Sequence, residues 1–251
     1  MTHAEPLVLS TPLPPATLAA APCSLLTRAE ATELDRLTIA FGSEGVTLMQ
    51  RAGAAVVAVI EQHYAPTRCL VLCGGGKNGG DGFIVAELLR QMGWDVACIA
   101  CGGLPESGDA HIARTRYQGQ VLPWNSIAFE EAGLVVDAIF GVGLSRAMES
   151  GLAAIVAAVN KSGVPVVAID MPSGIHADSG AVLGAAVRAT QTVTFTRKKP
   201  GLLLLPGRDY AGNVIVADIN MDMDALYNLP LRFAENAPAL WRERLPQFSA
   251  T

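Results

Sequence analysis

From Arg68 onward the chain alternates short, almost wholly apolar runs with glycine-bearing turns and segments of helical spacing. The apolar runs are Arg68–Cys73, Asp95–Cys101, Leu134–Ile139, Pro165–Asp170, Thr190–Phe195 and Asn213–Ile219, each read as a strand. Between them, Gly80–Met92, Asp109–Gln118 and Gly151–Lys161 read as helices. Strands apolar on both sides must be covered on both sides, and long helical connections suit parallel pairing. The expected fold is α/β, a three-layer sandwich around a mostly parallel central sheet. Two helices precede it. Thr27-Arg28-Ala29-Glu30 has the form of a capping box and opens a helix to about Phe41. Gly42–Gly45 breaks the chain, and a second helix runs from about Val46 to Tyr64.

Composition narrows the class. Apolar types make up 51% and charged residues 16%, which excludes a disordered chain. Eighteen Lys and Arg against 23 Asp and Glu give a net charge of −5, which argues against binding nucleic acid by bulk charge. The longest apolar runs, Ala52–Ile60 and Leu152–Val159, fall well short of the roughly 20 residues a membrane span needs. Residues 1–25 hold Pro6, Pro12, Pro14, Pro15 and Pro22 and no Lys or Arg, so an extended arm rather than a secretory signal is expected. Ala19–Cys23 has the outline of a lipoprotein box, but Pro22 stands where a small residue is wanted. The folded domain is placed at 26–230. A tail or linker follows at 231–251, with Pro238, Trp241 and Pro246 and no clear period.

Five cysteines are an odd count for a disulfide framework. Cys98 and Cys101 form a CxxC, but residues three apart on a strand face opposite sides, so inert core thiols are expected rather than zinc. Such usage suits a reducing, cytoplasmic setting. None of His3, His63, His111 and His176 has an evident partner for a hydrolytic triad.

In open α/β sheets ligands bind beyond the carboxyl ends of the strands, so the loop after each strand matters most. The first strand runs into Gly74-Gly75-Gly76-Lys77-Asn78-Gly79-Gly80-Asp81-Gly82, six glycines in nine residues before a helix. Free backbone N–H groups and a helix start favour an anion, a phosphate or pyrophosphate. Gly74-x-Gly76-x-x-Gly79 spells a dinucleotide fingerprint, yet the acid that should close the second strand is absent, since that strand ends Ile99-Ala100-Cys101. The loop therefore favours an anionic ligand and argues against ordinary hydride transfer. Asp137 lies inside the apolar run Val135–Phe140, where a carboxylate is costly unless paired or bound to a cation. It is read as a cation ligand or an acid/base, or else as a loop brace. Asp170-Met171-Pro172-Ser173-Gly174 puts a second acid and a hydroxyl at a strand end, in a site or in a simple Asx turn. Lys198-Lys199-Pro200-Gly201 is either a solvated corner or counter-charge for an anionic substrate.

Taken in order, Gly74–Gly82, Val136-Asp137-Ala138-Ile139-Phe140-Gly141-Val142-Gly143-Leu144, Asp170-Met171-Pro172-Ser173-Gly174 and Lys199-Pro200-Gly201 closely resemble the NAD(P)H-hydrate epimerase family, the YjeF N-terminal domain family. The resemblance spans about Leu26 to Met221. It implies a Rossmann-like domain that interconverts the R and S C6 epimers of hydrated NADH and NADPH in cofactor repair, with K⁺ bound. It implies Asn78, Asp137 and Ser173 as K⁺ ligands. It also implies Lys77, Asn78, Gly79, Gly80, Asp81, Gly141, Val142, Gly143, Leu144, Ser145, Arg146, Ala147 and Asp170 as substrate contacts. Asp170, Asp137 and Lys199 are the candidates for proton transfer, Asp170 foremost with Lys199 as helper. The family usually carries Asn-Asn where this chain has Lys77-Asn78, and a β-branched residue where Met171 stands. The resemblance further implies a homodimer and a dehydratase as companion domain or protein. A conventional NAD(P)-binding oxidoreductase and a non-catalytic interaction module of the same fold are the alternatives.

Overall fold

Leu134, Val135, Val136, Asp137 and Ala138 are all buried, as are five of the six residues of Arg68–Cys73. Only the middle of a sheet covered on both faces gives this pattern. In the computed structural model, which describes residues 21–124 and 128–242, these segments are β4 and β1, neighbours at the centre of a seven-stranded sheet. The others are β2 (Asp95–Ala100), β3 (Gln120–Pro123), β5 (Val166–Ile169), β6 (Gln191–Phe195) and β7 (Asn213–Ala217). The order is β3-β2-β1-β4-β5-β6-β7 and every pair is parallel. The chain works outward from β1 to β3, returns to β4 beside β1, and works outward again to β7. Connections therefore diverge between β1 and β4 and leave a crevice at their carboxyl ends.

One face carries α2 (Gly45–His63), α3 (Lys77–Gln91) and α4 (Gly108–Arg116), whose Val56, Ile60, Phe83 and Ala113 pack on Val71, Cys98 and Val136. The other carries α5 (Ser150–Ser162), whose Ile155 and Val159 pack on Leu72, Ile99 and Val135. Cys98 and Cys101 fall in these two opposite cores, as strand alternation requires, and the cysteines at 69, 73, 98 and 101 are buried and free. A third cluster joins α1 (Arg28–Ala40) through Leu34 to Leu48, Ile219, Met221 and, on α7 (Met223–Asn228), Leu226.

The capping box at α1 forms in full, with Thr27 and Glu30 each bonded to the other's backbone N–H. Elsewhere the structure corrects the sequence expectation. β3 is an added strand, exposed at the sheet edge and so without an apolar signature. α3 starts at Lys77 rather than Gly80. Most of the glycine run is therefore helix, its low helix propensity overridden by close packing. β5 stops at Ile169 because Asp170 takes φ 67°, outside the strand region. Short α6 (Arg208–Ala211) and α7 carry too little periodicity to be seen beforehand.

Arm and tail pair with each other beside the turn after β6, where Leu26 N–H donates to Lys198 C=O at 3.0 Å and Lys198 pairs with Glu235 at 2.8 Å. Leu25 N–H donates to Phe233 C=O at 2.9 Å, Glu235 N–H to Cys23 C=O at 2.8 Å, and Ser24 bridges Ala234. Leu231 is buried with α1 and α7. Most of the proline-rich arm, residues 1–20, and the tail from 243 lie outside the described residues.

Candidate functional site

The crevice opens into a cavity of about 470 Å³. Its floor is the carboxyl end of the sheet, contributed by Asn78, Ile139–Leu144, Asp170, Phe195, Thr196 and Lys199. Its roof is α1 and α2, with Leu34, Asp35 and Leu48. Leu26, Ile219 and Met221 add an apolar side wall. The lining is mixed: Asp170 and Lys199 rise from the sheet's carboxyl end, Lys77 and Asp81 from α3 and Asp35 from the roof, while Leu26, Leu34, Leu48, Ile219 and Met221 are apolar.

Asp170 and Lys199 form its polar centre. Lys199 Nζ donates to Asp170 Oδ1 at 2.6 Å, to Thr194 Oγ1 at 2.8 Å and to Phe195 C=O at 3.3 Å, which uses all three ammonium protons. Thr194 Oγ1 also reaches Asp170 Oδ1 at 3.3 Å, and Val142 N–H donates to Asp170 Oδ2 at 3.1 Å. Both ionic side chains are largely buried, 12% exposed for Asp170 and 3% for Lys199, so each needs the other. A lysine so bound is a fixed counter-charge, not a solvated corner.

Asp137 is fully buried and stands behind the cavity wall rather than in it. Its Oδ2 accepts from Ser173 N–H at 2.7 Å, and its Oδ1 from Ser173 Oγ at 2.5 Å and Ile139 N–H at 3.2 Å. Phe140 N–H in turn donates to Ser173 Oγ at 2.9 Å. The loop Ile139–Val142 is therefore laced to Asp137 on one side and Asp170 on the other. Burial pushes the Asp137 carboxyl up to about 6, against the pull of these hydrogen bonds. Among the described residues it has no cationic partner.

That unmatched carboxylate is what a bound monovalent cation would satisfy. Asn78, on the first turn of α3, is buried with Nδ2 unpartnered. Its Oδ1 and Asp170 Oδ2 close on Gly141 so tightly that a Cβ there would lie 3.0 and 2.8 Å from them. Carboxylate, hydroxyl and amide oxygens are hard donors, which suit an alkali ion rather than a soft metal. Among the described residues, no group of three or more His, Cys, Asp or Glu is arranged to hold a metal. The side chains of Asn78, Asp137 and Ser173 offer oxygen donors of the kind a K⁺-type ion takes.

Two more carboxyls face Asp170. Asp81, on the first turns of α3, lines the cavity, and burial holds it well above the usual carboxylate range, with Asp170 and Asp35 adding to the rise. Asp35 on α1 is also raised by burial, opposed by Lys77, whose Nζ lies 3.4 Å from its Oδ2. Gly79 and Gly80 do not reach the cavity. A Cβ on Gly79 would meet Gly74 C=O at 1.8 Å, and one on Gly80 would meet Met49 and Ala110. Gly141, Val142, Gly143 and Leu144 line the cavity, whereas Ser145, Arg146 and Ala147 lie exposed beyond it. Arg146 pairs there with Glu149 at 3.6 Å.

Residues 45–201, more than half the chain, match the family described as YjeF-related protein N-terminus. The chain belongs to that family. It is 41% identical over 199 residues to the NAD(P)H-hydrate epimerase of Limosilactobacillus fermentum, covering 77% of this chain and 95% of that one. It is 41% identical over 191 residues to the same-named protein of Rhodobacter capsulatus, covering 70% and 90%. The bifunctional NAD(P)H-hydrate repair enzyme Nnr of Moorella thermoacetica is 37% identical over 245 residues, and this chain spans 46% of its length. The crystal structure of yeast ynu0, YNL200c, shares the fold with TM-score 0.68 at 21% identity, covering 84% of this chain and 96% of that one.

Within this family domain, sequence reasoning passed over Asp35 and Thr196. Asp35 sits among polar positions of an amphipathic helix and reads as solvated there. Thr196 follows the strand read at Thr190–Phe195 and opens the turn toward Lys199, where nothing in the sequence marks it out. No spacing rule brings either to the cavity; the placing of α1 and the turn after β6 do. No helix of the described residues is long and apolar enough to cross a membrane.

Proposed function

We propose that the chain is an NAD(P)H-hydrate epimerase, an isomerase that inverts C6 of hydrated NADH and NADPH. The observation that carries this is the buried Asp170–Lys199 pair on the floor of a cavity at the sheet's carboxyl edge. Relatives near 40% identity that bear the epimerase name support it.

Inverting C6 requires the C6–O bond to break and re-form, or the C6–N1 bond to open and close. Either route moves one proton off or onto the hydroxyl, work typically worth about 10²–10⁴-fold. Asp170 is the group placed to do it, because it lines the cavity while Asp137 does not. Lys199 holds Asp170 in place and balances its charge as the proton moves. Asp81 lines the same cavity, its carboxyl raised well above the usual range by burial and then by Asp170, and is the second carboxyl there for the complementary proton. Lys77, the start of α3 and the Gly141–Leu144 loop would take the anionic part of the dinucleotide, with Ser145–Ala147 engaging only its outer reach. Asn78, Asp137 and Ser173 would hold K⁺, which supplies a fixed positive charge beside the laced loop.

The chain is read as a cytoplasmic homodimer whose N-terminal helices supply the contact, where Ile39 and Phe41 are exposed at the end of α1. Its product epimer would pass to a dehydratase, the activity that would complete repair in the longer bifunctional relatives. The test is the R-to-S conversion of NADHX followed by chromatography or proton NMR, with K⁺ and with a non-binding cation. Acceleration over the spontaneous rate is expected. No acceleration in either salt overturns the proposal.

A further inference from the structure

Asp170 has a structural twin one strand over. Asp170 follows β5 and takes φ 67°, and Met171 N–H closes the turn on Ile169 C=O at 2.8 Å. Thr196 follows β6 and takes φ 64°, and Arg197 N–H closes the turn on Phe195 C=O at 2.7 Å. Each residue also donates its own N–H to the next strand, Asp170 to Val193 at 2.7 Å and Thr196 to Ala217 at 2.9 Å. An i-to-i+2 bond around a positive φ is the strained form of the γ-turn. For a β-branched residue that conformation is an outlier, and glycine would adopt it without strain. Such strain gathers at ligand clamps.

The Thr196 hydroxyl has the matching oddity. Thr196 is 7% exposed and lines the cavity, yet its Oγ1 has no hydrogen-bond partner among the described residues. A buried, unsatisfied hydroxyl is expensive and is retained where something else fills it. The cavity lining includes the apolar Leu26, Phe195, Ile219 and Met221, while the neighbouring cations are already engaged, Lys199 by Asp170 and Arg197 by Ser24 Oγ and the Thr196 carbonyl. A hydroxyl both donates and accepts, as an uncharged amide does.

We propose that Thr196 Oγ1 is a substrate contact that hydrogen-bonds the carboxamide of the substrate's hydrated ring, seating that ring against the apolar residues of the lining. This rests on the epimerase reading and deepens it. Thr196 thereby sets which face of C6 meets Asp170, and acts as a positioning residue for the ring.

The test uses Thr196→Val, which removes the hydroxyl at constant shape, Thr196→Ser, which keeps it, and Thr196→Gly, which removes hydroxyl and strain together. KM for NADHX should rise about tenfold in the Val variant with kcat within about threefold, the pattern of an interaction made equally in ground and transition states. The Ser variant should stay within about threefold of the parent. Thr196→Gly should bind as weakly as Thr196→Val while melting at the same or a higher temperature, a combination no merely structural role gives. A KM within twofold of the parent for both Val and Gly variants overturns the proposal. Calorimetric binding of NADPH separates the two readings. If the parent chain binds it without epimerising NADHX, and Thr196→Val binds it about tenfold more weakly, the contact stands and the epimerase reading falls. If the parent neither epimerises NADHX nor binds NADPH, both fall.

Discussion

Lys199 Nζ stands 2.6 Å from Asp170 Oδ1, and neither side chain has another ionic partner among the described residues. The pair joins the turn after β5 to the turn after β6 in the cavity floor. Asp170→Asn should lower epimerisation about 10²- to 10⁴-fold, and retention of the full rate with intact cofactor binding would sink Asp170 as proton carrier. Lys199→Met strands a buried carboxylate and should cost about 3–5 kcal/mol in urea unfolding. The double variant Asp170→Asn, Lys199→Met removes both charges and should recover a large part of that loss without recovering activity.

The Asp137–Ser173 bond carries the cation reading. Ser173→Ala removes a hydroxyl that both binds Asp137 and receives Phe140 N–H. K⁺ titrated into the parent should raise its melting temperature, since a ligand of the folded state alone stabilises by mass action. Asp137→Asn and Ser173→Ala should each weaken that response at least about tenfold in K⁺ concentration. A melting curve insensitive to K⁺ in the parent would remove the ion from the site.

How much of this was legible in the sequence depends on where each residue's signal came from. β1 and β4 are apolar on both sides because both sides are covered, so their runs read directly. Thr27 and Glu30 announce α1 because a capping box is a local contact. Asp137, Asp170 and Lys199 stood out because charge interrupts or closes an apolar run. β3 lacked that contrast at the exposed edge. The glycines hid the start of α3, since their role there is tertiary: Gly82 leaves room for Ala138 and Cys73. Asp35 and Thr196 join the site only through packing of the roof and a positive φ, neither of which has a sequence period.

Gly79 and Gly143 separate packing from binding. A Cβ on Gly79 would stand 1.8 Å from Gly74 C=O, whereas one on Gly143 would have nothing within 4 Å. Gly79→Ala should abolish cooperative folding, or cost upwards of about 3 kcal/mol where the backbone shifts. Gly143→Ala should leave thermal unfolding unchanged. A raised KM in that stable variant would assign the loop to substrate, and an unchanged KM would take Gly143 out of the contact set.

Glu87 sets an acid-side dependence. Arg90 binds both its oxygens, at 2.7 and 3.1 Å, and Gln118 N–H and the Gln91 amide add bonds at 3.0 and 2.8 Å. The Arg90 bonds foremost hold its carboxyl down at about 2, below the ordinary 4.5. A folded value below the unfolded one means stability is complete above pH 4.5 and lost as pH falls toward 2. With Arg90 38% exposed the pair is screened, so about 1 kcal/mol is expected. Glu87→Gln should lose that at pH 7 and nothing near pH 2, in urea unfolding at each pH. A cost constant with pH would contradict the linkage.

The chain past residue 230 is tied to the chain before residue 26. Leu231 is 2% exposed among Leu26, Leu34 and Leu226, and two backbone bonds join Cys23 and Leu25 to Glu235 and Phe233. These contacts steady α1, and α1 roofs the cavity. Leu231→Ala removes buried aliphatic volume and should cost about 2–4 kcal/mol. Ending the chain at residue 230 removes the backbone bonds as well, so it should cost at least as much. Because this segment packs with α1 and α7 and contributes no residue to the two cores that cover the sheet, the truncated chain should still unfold cooperatively while KM for NADHX rises. Unchanged stability and KM on truncation would show that the folded domain ends at 230 after all.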